Sequence, residues 1–92
     1  MTGKKLLSIL KSNKVAAVPR SDWPAIEPDF VLGESHGTGV AGLLRIGTFG
    51  DYLVAVEEPE PDLLAVRPLA SHKAAKDFVQ RRLEAYDRLW DG

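Results

Sequence analysis

The chain has 92 residues, no cysteine and a net charge of −1. This length predicts one domain with a small core, and the balanced charge argues against broad capture of nucleic acid or anionic lipid. The absence of cysteine excludes a disulfide framework and a thiolate nucleophile, and no apolar run approaches the roughly 20 residues of a membrane span. We therefore expect a cytoplasmic protein without a membrane segment.

Residues 1–14 predict a short amphipathic helix. Leu6, Leu7 and Leu10 recur at helical spacing, and Thr2 can cap the helix start. The other side of the helix carries a basic block consisting of Lys4, Lys5, Lys11 and Lys14. A helix this short must dock on the sheet as a lid or, alternatively, fold on a partner as a basic arm, in which case these lysines are candidate nucleic-acid contacts.

Residues 15–39 predict a connection rich in proline and glycine. Its prolines prevent any long regular element, although residues 15–18 and 29–32 are apolar enough for short strands. Trp23 stands between these two segments. Its indole ring is expected to cover a core edge or, alternatively, to bind a partner.

The segment Gly33–Gly42 holds four glycines in ten residues and predicts a flexible loop. Its end, GTGVAG, has the G-x-G-x-x-G form of dinucleotide sites, but Gly47 and Gly50 would break the helix that must follow. The two histidines of the chain fit no metal-ligand spacing, and adjacent Ser35 and His36 should point apart. Glycines free backbone N–H groups to meet a partner or a small ligand. The polar residues that we assign to partner binding in this loop are Glu34, Ser35, His36 and Thr38.

Residues 40–67 predict a β-meander of three strands. Two short gaps, Thr48–Asp51 and Pro59–Asp62, separate the apolar segments. Gly50 can supply the positive φ that the first turn needs. Pro68 is expected to end the last strand.

Residues 71–90 predict a C-terminal helix capped by Ser71, with apolar residues at helical spacing. Arg81 and Arg82 form a possible basic stripe on it, diluted by neighbouring acids. The predicted fold is therefore α+β, a small two-layer domain. It has a three- to four-stranded antiparallel meander sheet, the C-terminal helix across it and the short N-terminal helix nearby.

The meander resembles the C-terminal part of RelE/ParE-type toxins. The residues that carry the resemblance are Leu44-Arg45-Ile46-Gly47, Gly50-Asp51-Tyr52, Val66-Arg67 and His72-Lys73, about a third of the chain. The resemblance implies a toxin-related fold and mRNA cleavage on the ribosome. Leu53 stands where the family has an arginine, and a proline-rich segment replaces its N-terminal helical hairpin.

The sequence is thus interpreted as a small non-enzymatic protein–protein interaction or accessory protein, with no cofactor, catalytic residue or metal ligand. Its partner is another protein or a second copy, and a two-fold dimer would bury Trp90 as an anchor. Alternatively, Trp90 folds back on Leu6 or Leu10 within one monomer. Three further hypotheses stay open: nucleic-acid binding through the basic block or Arg81 and Arg82, the toxin-related fold, and ligand binding at the glycine loop.

Overall fold

A computed structural model describes the backbone over residues 1–37 and 43–91, and the side chains over residues 1–33 and 44–85. Four consecutive strands follow a mixed N-terminal segment and precede the last helix. In chain order the elements are α1 (Gly3–Lys11), β1 (Ala16–Pro19), α2 (Trp23–Ile26), a 3-10 turn (Glu27–Asp29), β2 (Phe30–Gly37), β3 (Leu43–Phe49), β4 (Tyr52–Glu60), β5 (Leu63–Leu69) and α3 (His72–Asp91).

The strands form one antiparallel sheet in the order β1-β5-β4-β3-β2. The predicted α+β class with an antiparallel sheet is confirmed, but the predicted strand number is wrong, since five strands are present. The additional strands β1 and β2 lie in the segment 15–39 that was expected to be a connection, close to residues 15–18 and 29–32, which the sequence allowed as short strands. Half of the expected glycine loop, residues 33–37, belongs to β2, which pairs with β3.

Two strands continue through prolines that were expected to end them. Pro59 lies in β4, where the register with β5 shifts between Glu57 and Glu60, so the strand tolerates a residue without an N–H there. Pro68 lies in β5 beyond the last residue paired with β1, which is Val66. One edge of β5 is therefore open where the N–H is missing.

The ends of α1 follow from its capping residues. The Thr2 hydroxyl accepts a hydrogen bond from the Lys5 backbone N–H at 3.2 Å, as the sequence predicts. Asn13 has a φ of 57°, the left-handed conformation that terminates many helices. The helix itself ends at Lys11.

The main core lies between one face of the sheet and the helices α1 and α2. Buried side chains from all five strands and both helices form it: Leu6, Leu10, Ala16, Val18, Trp23, Ile26, Phe30, Phe49, Val54, Val56, Leu64 and Val66. Val54 pairs with Gly47 and Val56 pairs with Val66, so alternate residues of β4 point into this core.

Helix α3 packs on the opposite face of the sheet, over β4 and β5. Ala55, between the two core valines, points to this face, and Ala75 of α3 is buried. Arg82 of α3 contacts Glu57, the next residue of β4 on the same face. Helices therefore cover both faces, and the fold has three layers where the sequence predicted two.

Candidate functional site

The structure places Trp23 in the core, so its assignment to partner binding stays an untested prediction. Its side chain is 8 % exposed, and its ring lies 4.9 Å from that of Phe30 between centroids. Phe30 in turn stacks on Phe49 at 4.5 Å. Because an aromatic residue that is already buried gains little area from a partner, Trp23 acts as a core residue.

The remaining residues assigned to partner binding fall at the margins of the described chain. Glu34, Ser35 and His36 lie in strand β2 and not in a loop, since Ser35 pairs with Arg45 and His36 with Leu44. Their side chains lie outside the described part of the structure. Thr38 lies outside the described residues, and so does the side chain of Trp90, so the proposed role of each stays a prediction.

The basic residues form two groups on opposite faces of the sheet. The block Lys4, Lys5, Lys11 and Lys14 is exposed on or just after α1. Arg81 and Arg82 lie on α3, across the sheet from α1. One flat nucleic-acid surface cannot use both groups at once, and half-buried Arg82 is paired with Glu57.

One side of α3 forms an apolar groove with β3. The groove has a volume of about 480 Å³ and its floor includes Ile46 of β3. Half-buried Val79 and Leu83 form its wall on the helix, with Ala75 below them. Charged and polar side chains line its rim: His72, Lys76, Gln80 and Glu84.

This groove exists because the sheet is wider than one helix. Five strands spaced about 4.8 Å apart make a sheet roughly 24 Å wide, whereas a helix with its side chains is about 10 Å across. Since α3 lies over β4 and β5, the strip formed by β3 and β2 has no helix of this chain among the described residues. Val31 of β2 points to this face and is 73 % exposed.

The other side of α3 carries an arginine cluster, which we define as Arg67, Arg81 and Arg82 around the ring of Phe78. The Arg67 guanidinium lies 5.3 Å from the ring centroid and the Arg82 guanidinium lies 5.0 Å from it. These four residues line a cavity of about 220 Å³. Cation–π contacts of this kind hold the guanidinium groups beside the ring and leave their N–H groups available to an acceptor.

The charges of the arginine cluster are only partly compensated. Arg82 Nη2 donates to Glu57 Oε1 at 3.4 Å, and Arg82 Nε lies 3.0 Å from Glu57 Oε2 without a well-directed hydrogen bond. The Nε of Arg67 is buried and has no hydrogen-bond partner in the described structure. A buried donor without an acceptor costs about 1–3 kcal/mol.

A third cavity, of about 130 Å³, lies beside Trp23 and Arg45 on the core face. Arg20 spans its margin. Its Nη2 pairs with Glu58 at 2.9 Å, and its Nε donates to the Pro61 carbonyl at 2.6 Å. These bonds hold the end of β1 against the turn between β4 and β5. We therefore assign Arg20, at the margin of this cavity, a structural role.

Sequence reasoning missed the partners that complete both surfaces beside α3. Val79 and Leu83 follow the helical period, so the apolar stripe was visible, but the exposure of part of it depends on the width of the sheet. Arg67 lies on a strand and gave no signal of its proximity to Arg82, since only tertiary packing of α3 brings them together.

The described residues include no group of three His, Asp or Glu side chains able to hold a metal ion. No helix in the described part is both long enough and apolar enough to cross a membrane. Most of the dinucleotide-like motif, residues 38–42, lies outside the described residues, and a strand rather than the required helix begins at Leu43. In comparisons with known proteins, the chain matches no family model, no curated protein and no solved structure.

Proposed function

We propose that this chain is a non-enzymatic interaction protein that binds through the apolar groove between α3 and β3. The proposal rests on one observation. The sheet face under α3 is wide enough for two helices, and among the described residues α3 is the helix that packs on it. A surface that is apolar along its floor and polar along its rim has the character of protein–protein interfaces.

The first partner that we propose is a second copy of the chain, because α3 itself is the amphipathic helix that the empty strip requires. In a two-fold contact, α3 of each copy would lie beside α3 of its mate and extend over the β3–β2 strip. Val79 and Leu83 would then become buried from both sides.

The charges along the groove favour an antiparallel arrangement of the two helices. Lys76 and Glu84 lie four residues before and after Gln80 on the same rim. A two-fold axis near Gln80 places Lys76 of each copy opposite Glu84 of the other. Partly exposed pairs of this kind contribute about 0.2–1 kcal/mol each, so they select the orientation while the apolar contacts supply the affinity.

The surface area of the chain is compatible with one such interface. It exposes 6135 Å², about 800 Å² more than the roughly 5300 Å² expected of a compact monomer of 10.1 kDa. A standard interface buries about 800 Å² on each partner.

A charge-reversal experiment tests the contact and its orientation together. Lys76→Glu alone and Glu84→Lys alone would each place like charges opposite one another in a homodimer, and we expect each to raise the dissociation constant about tenfold, or 1.4 kcal/mol. A mixture of the two variants would pair opposite charges again and form the heterodimer. Sedimentation equilibrium over a concentration series measures all three.

Lys73→Glu is the matched control, because Lys73 is exposed on the same helix and does not line the groove. We expect the dimer of this variant to be as stable as that of the wild type. A wild-type chain that stays monomeric up to roughly 1 mM, a binding free energy weaker than about −4 kcal/mol, overturns the proposal. So does a mixture that associates no better than the separate variants.

A further inference from the structure

We infer that the arginine cluster of Arg67, Arg81 and Arg82 around Phe78 is a binding site for a phosphate monoester. It lies on the side of α3 that faces β5, away from the groove, so it does not depend on the proposed dimer. Its residues come from two elements that tertiary packing brings together, a strand and a helix.

The chemistry of the cluster fits a phosphate oxygen. Guanidinium groups present planar, multiple N–H donors that match phosphate geometry, and they stay charged at any physiological pH. Arg67 and Arg82 line the cavity, and their contacts with the Phe78 ring fix the positions of their guanidinium groups. Arg81 is exposed at the cavity margin and supplies a third guanidinium that can approach a ligand from solvent.

The charge of the site selects a dianion. Among the described residues, three arginines line the cavity and the carboxylate of Glu57 pairs with one of them, which leaves a local charge of +3 − 1 = +2. No ion pair within 4 Å joins Arg67 or Arg81 to any described carboxylate, although Asp77 and Glu84 lie one turn from Arg81. A phosphate monoester carries close to two negative charges at neutral pH, whereas a diester or a carboxylate carries one.

The size of the cavity limits what else the ligand contains. At about 220 Å³ it is smaller than the roughly 300–1,000 Å³ of sites that enclose a whole drug-sized ligand. It therefore holds a terminal phosphate while the rest of the ligand stays in solvent. Two sources supply this chemistry, a small phosphorylated molecule and the 5′-phosphate end of a nucleic acid.

NMR titration of the intact chain with inorganic phosphate at pH 7.5 tests the site through the Nε–H signals of the arginines. We expect saturable shifts of the Arg67 and Arg82 signals. Arg81→Gln should weaken binding at least fivefold without disturbing the fold, since Arg81 is exposed. Arg67→Gln should weaken it at least tenfold, and its far-UV circular dichroism reports whether it is folded. Lys73→Gln, an equal loss of charge on the same helix, should change affinity less than twofold.

Two comparisons test the preference for a dianion. Dimethyl phosphate, a monoanion, should bind at least fivefold more weakly than inorganic phosphate. Lowering the pH from 7.5 to 5.5 should weaken phosphate binding several-fold, because a phosphate with a second pKa near 6 loses its second charge while the arginines keep theirs. Equal affinity for dimethyl phosphate, or no effect of Arg81→Gln, overturns the inference.

Short oligonucleotides with and without a 5′-phosphate distinguish the sources. Tighter binding of the phosphorylated oligonucleotide than of inorganic phosphate supports the site and identifies a polymer end as the ligand. Equal affinity of the phosphorylated oligonucleotide and of inorganic phosphate supports the site and identifies a small phosphorylated molecule as the ligand. Equal affinity of the two oligonucleotides overturns the inference, since binding would then require only the diester backbone. The oligomeric state, measured by sedimentation, decides the proposed dimer separately.

Discussion

At the scale of single residues, two neighbouring leucines of α1 have opposite environments. Leu6 is 0 % exposed in the core, whereas Leu7 is 37 % exposed. Leu6→Ala should lower the free energy of unfolding by about 2–5 kcal/mol, because it removes buried methyl groups and leaves a cavity. Leu7→Ala, the same chemical change one residue away, should cost less than about 1 kcal/mol. Urea denaturation followed by tryptophan fluorescence measures both, and equal losses would contradict the position of α1.

Gly47 is the residue at which a single added carbon should matter most. A Cβ there would overlap the Val31 carbonyl oxygen and lie 2.8 Å from the Leu32 Cα, both backbone atoms of the neighbouring strand. Gly47→Ala must therefore displace β2, and we expect it to cost at least about 1–3 kcal/mol.

Gly3→Ala is the matched control for this prediction. Its new Cβ would make only ordinary contacts, 3.7 Å from Phe49 Cζ and 3.8 Å from Asp29 Oδ2. Because alanine favours a helix over glycine, the variant should be as stable as the wild type or more stable by up to about 1 kcal/mol. Thermal unfolding that ranks Gly47→Ala at or above Gly3→Ala in stability would refute the close approach of β2 and β3.

At the scale of elements, the start of α3 depends on one hydroxyl group. Ser71 Oγ accepts a hydrogen bond from the Ala74 backbone N–H at 3.1 Å. Ser71→Ala should reduce the free energy of unfolding by about 0.5–2 kcal/mol, the usual cost of a lost cap. Ser8→Ala, an exposed change inside α1, should instead be neutral or slightly stabilising, since alanine is the better helix former. The denaturation midpoint should therefore fall for Ser71→Ala and stay unchanged or rise slightly for Ser8→Ala.

Elements whose signals are local were predictable from the sequence, and elements that depend on remote partners were not. The hydroxyl groups of Thr2 and Ser71 cap the starts of α1 and α3, and Gly50 has the positive φ of a turn residue. The sequence predicted all three roles. Strand β1 is four residues long and exists because Ala16 pairs with Val66, fifty positions away. The apolar residues 15–18 allowed a short strand there, but no pattern within four residues identifies β5 as its partner.

The same distinction explains the candidate surfaces. A helical period predicted the apolar stripe of α3, but whether a stripe is buried or left open depends on how many strands the sheet has. The five-stranded sheet is wider than α3, so β3 and β2 lie beside this helix and not under it. The error in strand number and the missed groove therefore have one cause, whereas the proximity of Arg67 to Arg82 depends on the packing of α3 over β5.

At the scale of the whole molecule, the two faces of the sheet are stabilised unequally. Twelve buried side chains form the core on the face of α1 and α2. On the opposite face, the described side chains that are buried are Leu44, Ala55 and Ala75. Since burial of apolar area is the main source of stability, α3 should open at a lower free energy than the strands open.

Native-state hydrogen exchange tests this inequality. Amide protons of Val54 and Val56, in the central strand, should exchange only through global unfolding, while those of α3 from Ala75 to Leu83 should exchange through a partial opening of lower free energy. Equal protection of both groups in dilute solution would show that α3 belongs to the main cooperative unit and would contradict the unequal faces.

The concentration dependence of this exchange connects the stability of α3 to its proposed partner. If a second copy covers the groove, each tenfold rise in protein concentration well above the dissociation constant should raise the free energy of opening α3 by about 0.7 kcal/mol, because opening then requires dissociation and the free monomer grows only as the square root of the total concentration. Protection of Val54 should rise by the same amount, because global unfolding also requires dissociation of the dimer. Lys76→Glu, which weakens the antiparallel contact, should shift this rise to higher concentration, and Lys73→Glu should leave it unchanged. Protection of α3 that does not vary with concentration in any of the three proteins would mean that α3 is stabilised within one monomer.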